Sequence, residues 1–142
     1  SEHTTENLRR YERIPRRKLR TIINGIEGDK YSASGARAAV RESLGIGPDV
    51  PVIGFASRLA EQKGVPYLLE ATRGLRTQFP QLQVLIAGDG ELDEPLRMQA
   101  RQLDLDGTVR FLGVRRDVGA LLQAFDVFVL PSLWEGLPMV IL

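Results

Sequence analysis

The sequence predicts an α/β chain built on a parallel sheet with helices on both faces. Three observations carry this expectation. Short apolar, β-branched runs of strand length recur at 52–56 (VIGFA), 83–88 (QVLIAG), 108–113 (TVRFLG) and 126–130 (DVFVL). The gaps between them hold helical patterns. The runs also lack in/out alternation, as strands covered on both faces do. Right-handed crossovers would make such a sheet Rossmann-like.

Taken in order, residues 3–13 carry Leu8 and Tyr11 at helical spacing among charges, which predicts a short helix. A strand is expected near Leu19 to Ile23. The intervening RRYERIPRRKLR (9–20) is strongly basic, but its one aromatic is Tyr11, so it reads as a solvated face rather than a polyanion or acidic-membrane contact. The Ala-rich stretch from Ser34 to Leu44 closes on Gly45 and predicts a helix with a glycine cap, followed by the linker GIGPDV. In VPYLLEATRGLRTQF (65–79), Pro66 suits a first helical turn, and Leu68, Leu69, Thr72, Leu75 and Phe79 share one face. Residues 91–105 and 116–125 fill the remaining gaps with helices, and a last helix is expected to open at Pro138.

Composition narrows the chemistry. A chain of 142 residues is one domain's worth. Its 19 Lys+Arg against 18 Asp+Glu leave a formal charge of +1, so no global field calls for nucleic acid. With no Cys and a single His, His3, there are no thiolate metal sites and no imidazole clusters, so no metal is expected. His3 reads as a surface residue. No apolar stretch approaches the roughly 18 residues of a membrane helix, and a cytoplasmic location, with peripheral membrane association as its variant, is expected.

In open α/β sheets ligands bind beyond the carboxyl ends of the strands. The first strand is followed by SRLAEQKG, with Arg58 and Lys63, the second by GDGE, the third by GVRR and the fourth by PSLWEG. Two cations and a helix start on one rim make an anion site, best suited to a phosphate or diphosphate. Neither a G-x-G-x-x-G nor a P-loop signature follows the first strand, and G-x-S-x-G is incomplete with the one His far off, so dinucleotide, P-loop and serine-hydrolase chemistry drop away. Asp104-Leu105-Asp106 spells D-x-D but precedes a strand instead of following one, and reads as a helix-ending turn.

These loops resemble the retaining glycosyltransferases of family 4. INGIE (23–27) resembles that family's asparagine-glycine turn at the domain crossing, SRLAEQKG its G-R-L-x-x-x-K-G loop, and AGDGE its G-D-G-P turn. VRFLG resembles the strand and glycine before the nucleobase loop, and DVFVLPSLWEGLPMVIL the strand and first half of an E-x-x-x-x-x-x-x-E signature. Ser57, Glu27 and Glu91 depart from the family's Gly, Asp and Pro. The resemblance implies the C-terminal half of a GT-B fold, with residues 1–24 ending an N-terminal domain and residues 25–142 forming the donor-binding domain.

It implies further that Arg58 and Lys63 hold a nucleotide-sugar's diphosphate and stabilise its growing charge, with a UDP- or GDP-sugar as the donor. Glu135 would accept hydrogen bonds from sugar hydroxyls, the N–H groups of Gly136 and Leu137 would face phosphate, and Gly113 and Val114 would frame the base. No metal or other cofactor is obligatory, and the acceptor is a glycan, lipid or small molecule. Seven residues separate the family's two glutamates, so the resemblance predicts a fragment whose parent continues with Glu after Leu142. It also predicts a missing N-terminal domain, an inactive isolated chain and self-association through Leu137, Val140, Ile141 and Leu142. Two other readings are a non-catalytic flavodoxin-like nucleotide or phosphate module and a sugar-nucleotide epimerase. Ala56-Ser57 and Gly113 stand where a receiver module needs acids, and the Arg-to-Lys spacing with EGLP favours transfer over epimerisation.

Overall fold

The computed structural model describes residues 2–22, 24–26, 28 and 35–141. The chain divides into two compact units, Ser1–Gly28 with Glu135–Leu142, and Asp29–Trp134.

In the smaller unit, helix α1 (Glu2–Tyr11) is followed by a 3-10 turn at Arg16–Lys18, and the hydroxyls of Thr5 and Thr21 meet at 2.7 Å. The strand expected near Leu19 to Ile23 is not observed: 19–22 are not strand, and Ile23 lies outside the described residues, as does Glu27. A short apolar run becomes a strand only by pairing, and no described strand pairs with it. The helix expected to open at Pro138 is a 3-10 turn, Met139–Ile141, closed by Ile141 N–H donating to the Pro138 carbonyl at 3.0 Å. No helix among the described residues is long and apolar enough to cross a membrane.

The larger unit carries α2 (Ala36–Ser43), β1 (Val52–Ala56), α3 (Val65–Leu75), β2 (Gln83–Ala87), α4 (Asp93–Gln102), β3 (Val109–Gly113), α5 (Val118–Ala124) and β4 (Val127–Phe128). All strand pairs are parallel, in the order β3-β2-β1-β4. The four strands expected between 52 and 130 are present, β4 reduced from 126–130 to Val127–Phe128. The helices are shorter than their patterns suggested: α4 covers Asp93–Gln102 of 91–105, α5 Val118–Ala124 of 116–125, and α3 stops four residues before Phe79. Pro80 disfavours a helical conformation at the preceding residue, so α3 stops at Leu75 and leaves Phe79 47% exposed rather than on the core face. The cap at Gly45 forms as its sequence implies, with φ 66 and its N–H donating to Glu42 at 2.9 Å.

Register decides which side chains share a face. Ile53 and Phe55 of β1 stand beside Val84 and Ile86 of β2, which in turn stand beside Val109 and Phe111 of β3. These residues meet Leu68 and Leu69 of α3 and Leu96 and Ala100 of α4 in the main core. Each such buried Leu, Ile or Phe contributes about 1.5 to 3 kcal/mol by leaving water. The chain then jumps from β3 at one edge to β4 at the other, and this reversal of winding places α5 on the opposite face. There α5 packs with α2. The Phe125 ring at its end lies so close to β1 that a Cβ on Gly54 would come within 1.9 Å of it. Glycine at 54 is what lets α5 close on the sheet.

That second face is organised by a buried cation. The Arg41 side chain is only 3% exposed, and its guanidinium donates to the carbonyls of Ala124, Gly47, Pro48 and Val50 at 2.8–3.0 Å and to Asp126 Oδ2 at 2.9 Å. Asp126 Oδ2 also accepts Val52 N–H at 2.7 Å, and Asp126 Oδ1 accepts from Arg37, which itself donates to Gln123 and Phe125 carbonyls. Arg37 and Arg41 lie one helical turn apart on α2 and satisfy the last carbonyls of α5, where positive charge is favoured. Burial pushes the Asp126 carboxyl up, but hydrogen bonds from Arg37, Val52 and Arg41 outweigh it and hold the group below its ordinary value.

Replacing Arg41 by Ala takes a donor from the carbonyls of Ala124, Gly47, Pro48 and Val50 and removes half of the Asp126 contact, and urea denaturation should show a loss of about 3 to 5 kcal/mol. Because the folded-state pKa of Asp126 is depressed, its contribution is fully present above the unfolded value and is lost as pH falls through the folded one. Stability measured from about pH 5 down to pH 2 should therefore fall less steeply in Asp126→Asn than in the parent chain.

Candidate functional site

The strand order places a switch point at the carboxyl ends of β1 and β4, where the winding reverses. Four loops leave the sheet at this end, and three of them interlock across β1, β2 and β3. Ser57 N–H donates to Ala87, Leu59 N–H to Asp89, Leu92 N–H to Leu59 and Gly88 N–H to Gly113, at 2.8–3.1 Å. Gly88 has φ 137, and a Cβ there would lie 1.8 Å from the Ser57 carbonyl oxygen. Only glycine allows the second loop to pass that close to the first.

On the other flank the loop after β1 meets the loop after β4. Leu133 N–H donates to the Gln62 carbonyl at 2.8 Å, and Gln62 Nε2 donates to the Trp134 carbonyl at 2.8 Å. Gly64, at φ 63, would bring a Cβ to 2.0 Å from the Pro131 carbonyl oxygen. The loop 57–64 is thus held from both sides by main-chain contacts.

Arg58 and Lys63 are carried on this loop. Arg58 is exposed, and its guanidinium has neither an ion pair nor a hydrogen bond among the described residues. Lys63 is half-buried at the end of a 3-10 turn, Glu61–Lys63. Gly64 follows as the N-cap of α3, with Pro66 in the first turn and no side-chain cap. A helix start therefore does lie in this loop, but it belongs to α3 and not to the segment at Pro138. Gly113, with φ 65, ends β3, and Val114 beyond it is 72% exposed. Next to them Arg115 clasps Asp117 through two hydrogen bonds, 2.8 and 2.6 Å, and that contact holds the Asp117 carboxyl below its ordinary value.

The fold brings Arg58, Lys63, Gly113 and Val114 to one end of the sheet. Glu135, Gly136 and Leu137 are exposed and belong to the smaller unit. Asp89 Oδ1 accepts its neighbour Gly90 N–H at 2.7 Å, which stabilises the turn. Asp104 sits just past α4 at φ 54, the helix-ending turn its sequence suggested. Gln62 carries no signal in the sequence, since neither its type nor its spacing points to a contact 71 to 72 residues away.

Comparison with known proteins agrees with this architecture. The chain is 35% identical over 129 residues to a UDP-Gal:alpha-D-GlcNAc-diphosphoundecaprenol alpha-1,3-galactosyltransferase of Escherichia coli, covering 88% of this chain and 33% of that protein. The crystal structure of WaaG, a glycosyltransferase involved in lipopolysaccharide biosynthesis, superposes with a TM-score of 0.81 at 21% identity, over 92% of this chain and 36% of that one. HepE of Anabaena in complex with UDP superposes with a TM-score of 0.69 at 28% identity, over 83% and 33%. The chain spans about a third of the length of the curated relatives it matches. The parallel sheet is Rossmann-like, as in GT-B glycosyltransferases. Residues 36–142 match the glycosyl transferases group 1 family, and the chain belongs to that family.

Proposed function

We propose that this chain is the donor-binding part of a glycosyltransferase that moves a sugar from a nucleoside-diphospho-sugar to an acceptor. The observation that carries the reading is Arg58: an exposed guanidinium without a protein partner among the described residues, on a loop pinned at the β1–β4 switch point. A cation left available at such a place suits a phosphate. A relative whose name specifies UDP-Gal and a structural neighbour bound to UDP support UDP as the nucleotide.

In this reading Arg58 offers a planar fork and Lys63 a point charge to different oxygens of the diphosphate. As the bond between the sugar's anomeric carbon and the phosphate oxygen breaks, negative charge builds on the leaving diphosphate. Both cations then stabilise it more than they stabilise the intact donor. Gly113 and Val114 offer the backbone against which the base rests. By the resemblance to family 4, Glu135 accepts from sugar hydroxyls, the N–H groups of Gly136 and Leu137 serve phosphate, and the anomeric configuration is retained. Residues 1–24 belong to the crossing from an N-terminal domain in the same scheme, and acceptor recognition belongs to that domain.

Arg58→Ala and Lys63→Ala should each weaken UDP binding by about 1 to 3 kcal/mol in calorimetry, with melting temperatures close to the parent's. Unchanged affinity in both would place the anion site elsewhere. The 142-residue chain supplied with UDP-sugar and acceptor should bind the donor without transferring its sugar, because closure of a facing domain normally completes such a site. Turnover by the chain alone would overturn that part of the proposal.

A further inference from the structure

We infer that Gln62 is a positioning residue for the diphosphate site, acting by locking the Lys63 loop onto the loop after β4; this rests on the donor-binding reading above. Lys63 stands between two residues that are both fixed to the same neighbour. On one side Gln62 makes two hydrogen bonds, its carbonyl accepting Leu133 N–H at 2.8 Å and its side-chain amide donating to the Trp134 carbonyl at 2.8 Å. On the other side Gly64 packs against the Pro131 carbonyl so tightly that no Cβ fits. Three contacts made by the two residues that flank it leave the backbone of Lys63 little freedom to rotate away from the rim. The 3-10 turn 61–63, closed by Lys63 N–H donating to the Ala60 carbonyl at 2.9 Å, shortens the segment further.

The side-chain half of this clamp is the part a point substitution can remove. It is exposed, so its loss costs the fold little, whereas the orientation of a cation toward a diphosphate is sensitive to small displacements. The amide suits the task because it is neutral. An Arg or Lys at 62 would reach the same carbonyl but would also draw phosphate toward itself, and a Glu cannot donate while ionised.

The test is a double-mutant cycle on UDP affinity by calorimetry, with Gln62→Met, which keeps the length and removes the donor, alone and combined with Lys63→Ala. Gln62→Met should raise Kd about three- to tenfold with an unchanged melting temperature, and should have almost no further effect once Lys63 is Ala. An equal loss in both backgrounds, or no loss in either while Lys63→Ala weakens binding, would overturn the positioning role and leave the donor reading intact. Absence of UDP binding in the parent chain, or insensitivity to both Arg58→Ala and Lys63→Ala, would overturn the donor reading and the clamp with it.

Discussion

A single buried guanidinium holds together the face of the sheet on which the rim depends. Arg41 leaves water almost completely, which is costly unless its N–H donors find acceptors inside the fold. Its acceptors come from the linker after α2, the end of α5 and the residue that opens β4. Asp126 then passes the constraint to β1 by accepting Val52 N–H, while Asp126 N–H donates back to the Val52 carbonyl at 2.9 Å. β4 has only two residues of its own, so its place beside β1 owes more to this polar knot and to Val129 N–H on Gly54 than to a long ladder. Without β4 in that position there is no switch point.

The parts of this fold that sequence reveals are those governed by local periodicity. Runs such as VIGFA and QVLIAG announce strands because a strand buried on both faces needs apolar residues at every position. The face formed by Leu68, Leu69 and Thr72 follows from helical spacing. The polar knot was not legible. Arg41 looks like any surface cation in an Ala-rich helix, and Asp126 like the first residue of a strand, since their meeting spans 85 residues. The segment at 19–22 misled for the converse reason: Leu19, Thr21 and Ile22 suit a strand, but strands exist only in pairs.

The rim divides in the same way. Arg58, Lys63 and the glycines of the loops stood out because cations and turn residues after apolar runs carry a direct physical signal. Which glycines are indispensable did not, because Gly88 and Gly64 are required by carbonyls of other loops, Ser57 and Pro131. Such close main-chain packing gives the rim its preorganisation. Loops whose hydrogen bonds are already made to each other have little conformational entropy left to lose when a charged ligand arrives.

The two faces of the sheet also differ in how far along the chain their partners lie. The face built by α3 and α4 joins neighbours in sequence, strand to helix to next strand. The face closed by α2 and α5 requires a residue at 41 to find one at 126. Loop-closure entropy rises with the logarithm of the separation, and contacts of long range give nothing back until that entropy has been lost. The order of assembly is thereby biased: three strands and two helices can gain stability among themselves while the fourth strand still lacks its anchor. A nascent chain in that state already has the loop bearing Arg58 and Lys63, but not the segment 131–134 that pins that loop from its other side.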